Sequence, residues 1–344
     1  MEIMDKVLIG TYTMGASKGI YELDFDDENG YISNVRNIAQ LGSPTYLAVS
    51  AADKLYTVDR DGDHGGLAVY DFSKDGETEF IASYMEGGSS PAYVAVDEQR
   101  QLVYTANYHK GTVKVFAIHD DGTLTLTDSF KSSGQGPRPE QDKSHIHFAN
   151  LTPDNRLVAV DLGTDKVFTF DVSAEGKLTQ VAEYNAESGF GPRHIRFSKD
   201  GQYAYLLGEL SSKLAVLKYN QHDGTFKLLQ EISTIPTDWH KHNGAAAIYV
   251  SDDGHFIYTS NRGHNSIAVF EIKDGGAKVE RIQLISSEGD FPRDFALSPS
   301  NRYLIVANQN TDNLSVYERS SKTGKLTLIQ KNFVVPEGVR VVFK

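Results

Sequence analysis

Six times along the chain, two short apolar runs flank a tight polar turn. The copies are SPTYLAVSAADKLYTVDR from Ser43, SPAYVAVDEQRQLVYTANY from Ser90, SHIHFANLTPDNRLVAVDLG from Ser144, GPRHIRFSKDGQYAYLLGEL from Gly191, NGAAAIYVSDDGHFIYTSNRG from Asn243 and FPRDFALSPSNRYLIVANQN from Phe291. Apolar runs around such turns read as antiparallel hairpins. A polar loop and a third strand follow each pair: GLAVYDF, TVKVFAI, KVFTFDV, KLAVLKY, SIAVFEI and NLSVYER. Turns such as DDGT, AEGK, HDGT and KTGK then lead into a fourth. The spacing is about 45 to 55 residues, a length typical of propeller blades. All links are short, so each unit is a four-stranded antiparallel sheet. Helical periodicity is nowhere convincing.

The two ends complete the pattern. The C-terminal VVPEGVRVVFK supplies only a first strand, and the N-terminal KVLIGTYTMGASKGIYELDFDDENGYISNVRNIAQ supplies a second, third and fourth. Joined, they make a seventh unit that interlocks the termini and closes a ring. The expected fold is all-β: a seven-bladed β-propeller, one domain over residues 1–344. Length alone would suggest about two domains, but repeats add to one body. An open β-solenoid is the structural alternative, although it has no need of complementary half-units at its ends.

The net charge is −12, and Lys and Arg are dispersed. Nucleic acid is therefore not expected as a partner. A small anion is a different case, because two or three converging arginines can hold one against the global field. No apolar run approaches the roughly 18 residues that span a bilayer, and no membrane partner is expected. The acidic opening MEIMDKVLIGTYT is unlike a signal peptide. Without cysteine there is no disulfide framework, thiolate zinc site or cysteine nucleophile. A cytoplasmic location is the expectation. Oligomeric state is not legible.

In a propeller blade the first strand is innermost and the second pairs antiparallel beside it. The start of the first and the end of the second share one mouth of the central channel. Second-strand ends offer Thr11, Arg60, Tyr108, Asp161, Glu209, Arg262 and Gln309. First-strand starts offer His145, His147, Arg193, His194, Arg293 and Asp294. The histidines sort likewise: His64, His109, His145, His147, His194, His240, His242 and His264 fall on this face, against His119, His222 and His255 on the other. Loops on one side of a rigid scaffold usually carry the site. Each residue also has a plainer role open to it. Arg193 can tie to carbonyls of a neighbouring blade, Arg262 can tie to the next blade, and His194 can be a packing residue. His145 and His147 alternate and so face the same side of a strand, but no third ligand sits at a diagnostic spacing for a metal. His240 and His242 form a similar weak pair. DRDGDHGG and DFDDENG are acidic and glycine-rich without a known calcium-loop pattern. Glu209, facing arginines in a partly desolvated channel, has the least decorative reading.

The chain resembles the seven-bladed propeller lactonase family, known for 6-phosphogluconolactonase and also containing fungal carboxymuconate cyclases. The likeness covers essentially the whole chain and rests on HIHFANLTPDNRLVAVDLGTDKV, GPRHIRFSKDGQYAYLLGELSSKL, AAAIYVSDDGHFIYTSNRGHNSIAVF and FPRDFALSPSNRYLIVANQNTDNLSVY. It implies catalytic roles for His147, Arg193, Glu209 and Arg262. Relatives usually carry Asn where this chain has Gly208, which leaves one polar contact beside Glu209 missing.

The resemblance implies hydrolysis of a phosphorylated sugar δ-lactone, a step of the pentose phosphate pathway, with no metal or other cofactor. Hydrolysis needs a base for water and donors for the oxyanion. His147 or Glu209 is the base. A histidine near pKa 6.5 suits neutral pH, whereas nearby arginines oppose the rise a glutamate would need. Arg193 and Arg262 stabilise the oxyanion or bind phosphate. His145, His194, Arg293, Asp161 and Gln309 are expected to contact substrate. A carboxymuconate-type cyclase, a metal-dependent lactonase and a non-catalytic binding propeller remain as alternatives.

Overall fold

The computed structural model describes residues 4–72 and 78–344, so the first three residues of the acidic N-terminal stretch lie outside the described residues. Its strands, numbered β1 to β28 in chain order, form seven four-stranded sheets. The innermost strands are β4 (Leu47–Val49), β8 (Tyr93–Asp97), β12 (Ile146–Leu151), β16 (Pro192–Phe197), β20 (Gly244–Val250), β24 (Pro292–Leu297) and β28 (Gly338–Phe343). Each touches the next in that order, and β28 touches β4, so the ring closes. This is the seven-bladed propeller expected from the repeat, and the closed cycle excludes the open solenoid. Among the described residues, no helix is long and apolar enough to cross a membrane.

Blades pack face to face, so strands near the axis are covered on both sides and need no polar alternation. Thus β9 (Leu102–Asn107), LVYTAN, and β21 (Phe256–Arg262), FIYTSNR, are buried at every position. The outermost strand of a blade has only water beyond it, and β15 (Leu178–Asn185) is largely exposed. Buried tyrosines usually find a hydrogen-bond partner for the hydroxyl. Tyr104 donates to Asp97 at 2.8 Å and Tyr258 to the Gly324 carbonyl at 2.8 Å, which ties strands to turns.

The seam is the blade made from both ends of the chain. β28 pairs antiparallel with β1 (Asp5–Thr11), matching Val7 to Phe343, Leu8 to Val342 and Ile9 to Val341. Val339 and Val341 are buried, each contributing about 1.5–3 kcal/mol. Just before β28, the Glu337 carboxylate accepts backbone N–H bonds from Met14, Gly15 and Ser17 at 2.9 to 3.1 Å. The last strand is thus fixed by a hydrophobic ladder and by a clasp on the N-terminal loop.

Candidate active site

Three inner strands start with the same irregularity. In β16, Pro192 pairs with Gly208 and His194 with Leu207, which leaves Arg193 without a partner. In β12, Ile146 pairs with Asp161 and Phe148 with Val160, passing over His147. In β24, Pro292 pairs with Asn308 and Asp294 with Ala307, passing over Arg293. An extra residue of this kind is a β-bulge, which breaks the alternation and re-aims a side chain. Here three bulges turn His147, Arg193 and Arg293 toward the channel.

A cavity of about 290 Å3 opens at this mouth, lined by residues that include Tyr12, Arg60, Tyr108, His147, Glu209, Arg262 and Arg293. Below it lies a chamber of about 10 Å3, bounded by Tyr46, Arg193, His194 and Asp294 and sharing His147 and Arg293 with the cavity above. That volume is about what one water needs.

Glu209 follows β17 (Tyr203–Gly208) directly, and its carboxylate lies between two guanidinium groups. Arg262 Nη2 is 2.9 Å from Oε1, and Arg193 Nε is 3.0 Å from Oε2. The Arg193 Nε–H is not aimed along that line, so this second contact is ionic rather than a formed hydrogen bond. Both arginines also bond to β20: Arg262 Nε donates to the Gly244 carbonyl at 3.1 Å, and Arg193 Nη1 donates to the Ala246 carbonyl. The plainer role foreseen for Arg193, a tie to a neighbouring blade, therefore coexists with its place beside Glu209.

The charges set the protonation states. Burial pushes the Glu209 carboxyl up, but Arg262, Arg193 and Arg293 outweigh it and hold the pKa below its ordinary value. Burial, reinforced by Arg193, Arg293 and Arg262, drives the His147 imidazole well below 6.5. It is therefore neutral at pH 7, where an ordinary histidine would be about a quarter protonated. Its Nδ1 is buried without a hydrogen-bond partner. Burial and the nearby Arg262 bring Arg193 down to about 9, still cationic at neutral pH. Tyr108 is pushed up to about 12 by burial and by Glu209, so its hydroxyl keeps its proton.

Four residues expected to contact substrate do not reach the cavity. Asp161 is fully buried: it accepts from Ser132 Oγ and Ser144 Oγ at 2.7 Å, and from the backbone N–H of His145 at 2.7 Å and Gly163 at 3.0 Å. Four donors occupy its oxygens, so it braces a blade junction. His145 places Nδ1 2.9 Å from the Tyr108 carbonyl and Nε2 2.7 Å from Asp142, and its ring stacks on Tyr108 at 4.2 Å. It positions Tyr108 instead of meeting substrate. His194 lies in the lower chamber among Tyr46, Tyr93 and Phe148, with Nε2 3.3 Å from Arg193 Nη1. Gln309 stands behind Arg293, its Oε1 3.5 Å from Nη1. Arg293 itself does line the cavity, over the Tyr12 ring.

His240 and His242 sit on an exposed loop outside the cavity. Among the described residues, no group of three or more His, Asp or Glu is placed to hold a metal ion. The glycine at 208 has a steric reason: a Cβ there would meet Ser211 Oγ at 2.3 Å and the Phe190 carbonyl at 2.8 Å. Phe190 and Ser211 fill the space that a larger residue would need.

The comparisons agree with this architecture. The family described as "Lactonase, 7-bladed beta-propeller" matches residues 6–343. A protein of Bacillus subtilis named 6-phosphogluconolactonase is 41% identical over 339 residues, covering 97% of each chain. A solved protein structure from Lactobacillus plantarum superposes with a TM-score of 0.98 at 52% identity, covering 99% of this chain and 100% of that one. The periplasmic gluconolactonase of Pseudomonas aeruginosa superposes with a TM-score of 0.92 at 30% identity, covering 99% of each.

Proposed function

The chain belongs to the lactonase family of seven-bladed β-propellers, and from that premise we propose that it hydrolyses 6-phosphogluconolactone to 6-phosphogluconate at the cavity lined by Tyr108, His147 and Glu209. The observation that carries this reading is the charge arrangement. A protein of net charge −12 gathers Arg60, Arg262 and Arg293 around one cavity whose lining carboxylate, Glu209, is already neutralised. Such a cavity suits an anionic substrate. The names of the Bacillus and Pseudomonas relatives support a sugar lactone.

The proposed chemistry uses this chain's own groups. A lactone seated with its carbonyl oxygen toward Arg262 develops negative charge where a desolvated guanidinium can meet it. Water attacks the carbonyl carbon, and neutral His147 accepts one of its protons. The tetrahedral intermediate collapses, the bond from the carbonyl carbon to the ring oxygen breaks, and the imidazolium returns that proton to the ring oxygen as it leaves. The low pKa of His147 makes its protonated form a strong donor for that second step. Glu209, held by two arginines, is a weak base and serves to orient the water or a sugar hydroxyl. Arg193, beneath it, fixes the carboxylate.

The test is the rate of 6-phosphogluconolactone opening followed by NMR at pH 7. Opening well above the spontaneous rate supports the reading. A rate equal to background, together with lactone formation from a carboxymuconate, would replace it with the cyclase alternative.

A further inference from the structure

The cavity has two electrostatically different ends. At one, in the blades of β16 and β20, Glu209 sits with Arg193 and Arg262. Arg293 belongs to that end as well, since its charge acts on Glu209, His147 and Arg193. A dianion placed there would meet the Glu209 carboxylate, with Arg193 and Arg262 already committed to it. Arg60 lies at the other end, on β5 (Lys54–Asp61), three blades around the ring from β17. Its charge is felt by His109 rather than by the Glu209 cluster.

Arg60 is cationic and unneutralised. Among the described residues it has no carboxylate within salt-bridge distance, and its Nε donates only to the Gly62 carbonyl at 3.2 Å. The nearby acids do not reach the lining. Asp59 turns its Oδ1 to the backbone N–H groups of Gly42 and Arg60, and Asp61 and Asp63 are exposed outside the cavity. Ser43, Ser89 and His109 line the cavity with Arg60 and add short donors.

We propose that Arg60, with Ser89 and His109, is the seat for the phosphate monoester at the far end of the substrate, so that Arg60 decides between phosphorylated and unphosphorylated sugar acids. This rests on the lactonase reading for the identity of the ligand but not for the existence of the seat. A guanidinium fork binds phosphate through paired charge-assisted bonds. Because the phosphate is remote from the reacting carbonyl, its contacts are the same in ground and transition states and act mainly on KM.

The experiment is calorimetric binding of 6-phosphogluconate and of gluconate to the wild-type protein, Arg60→Gln and Arg60→Lys, with lactone kinetics alongside. Arg60→Gln is expected to weaken 6-phosphogluconate binding by roughly 10- to 100-fold and to leave gluconate binding within twofold. Arg60→Lys should recover part of the loss. Kinetics should show the same selective rise in KM for the phosphorylated lactone. If wild type binds the two acids equally, or if Arg60→Gln weakens both alike, the seat is overturned. Absence of lactone opening with selective 6-phosphogluconate binding intact would overturn the lactonase reading and leave the seat standing.

Discussion

Arg262 reaches from the end of β21 across a blade boundary to set its Nη2 2.9 Å from Oε1 of Glu209, at the end of the equivalent strand in the preceding blade. The pair joins two repeats at the point where the cavity begins. Its partner contact, Arg193 to Oε2, comes from a bulge in Glu209's own blade. The carboxylate is therefore the fixed point about which the site is arranged, and replacing it should affect stability as well as rate.

The pKa of Glu209 is depressed in the folded protein. Its stabilising contribution is thus present above the unfolded glutamate pKa, near 4.3, and is lost as pH falls through the lower folded value. Glu209→Gln should lower Tm at pH 7 and flatten the decline of Tm between pH 5 and acid. Parallel Tm curves for the two proteins would contradict this.

His147 is neutral far below its ordinary range, so lowering pH from 8 to 6 should not protonate it. The pH profile of kcat/KM should show no inflection near 6.5 attributable to this residue. His147→Ala should nonetheless lower kcat by roughly 10²-fold or more, the scale of acid–base catalysis. An inflection near 6.5 that disappears in His147→Ala would show that the imidazole titrates normally.

Arg193→Lys keeps a cation but loses the planar fork that meets both Glu209 and the Ala246 carbonyl. The buried Ala246 carbonyl then loses its donor, or the Glu209 carboxylate its ionic partner, at a cost of about 1–3 kcal/mol. Denaturant unfolding should show a lower midpoint at unchanged slope, and activity should fall at least tenfold. A variant equal to the parent in both would remove the role of Arg193 as a bridge between Glu209 and β20.

Removing residues 336–344 takes away β28 with buried Val339 and Val341, the Glu337 clasp and the Arg340 bond to Asp294 at 2.8 Å. The inner edge of one blade would be open. The truncated chain should be insoluble or melt far below the full one, as calorimetry would show. Equal melting temperatures would contradict the closed seam.

The propeller and its seam were legible because blade repeats leave a periodic trace and because the two terminal remnants were complementary in strand count. The gathering of His147, Arg193, Glu209 and Arg262 followed from the same geometry. The bulges did not show: passing over one residue at a strand start leaves no mark in the apolar pattern, yet it separates the direction of His147 from that of His145. Spacing likewise put Asp161 level with Glu209, while three of its four hydrogen-bond donors, His145, Ser144 and Ser132, lie 16 to 29 residues upstream. Tyr108 and Arg60 stood at second-strand ends, but only the shared cavity joins them to the site. The fall in the His147 pKa comes first from burial and then from three arginines on three blades, a sum that no local stretch contains.

The proposed chemistry requires Glu209 and His147 to act as one unit on a bound lactone. The direct measurement is kcat for 6-phosphogluconolactone opening by His147→Ala, Glu209→Gln and the double variant, against the parent. Residues that act together lose little more in combination than singly, so the double variant should match the slower single one within a few-fold. Losses that multiply, or a single variant with parental kcat, would contradict a shared catalytic unit.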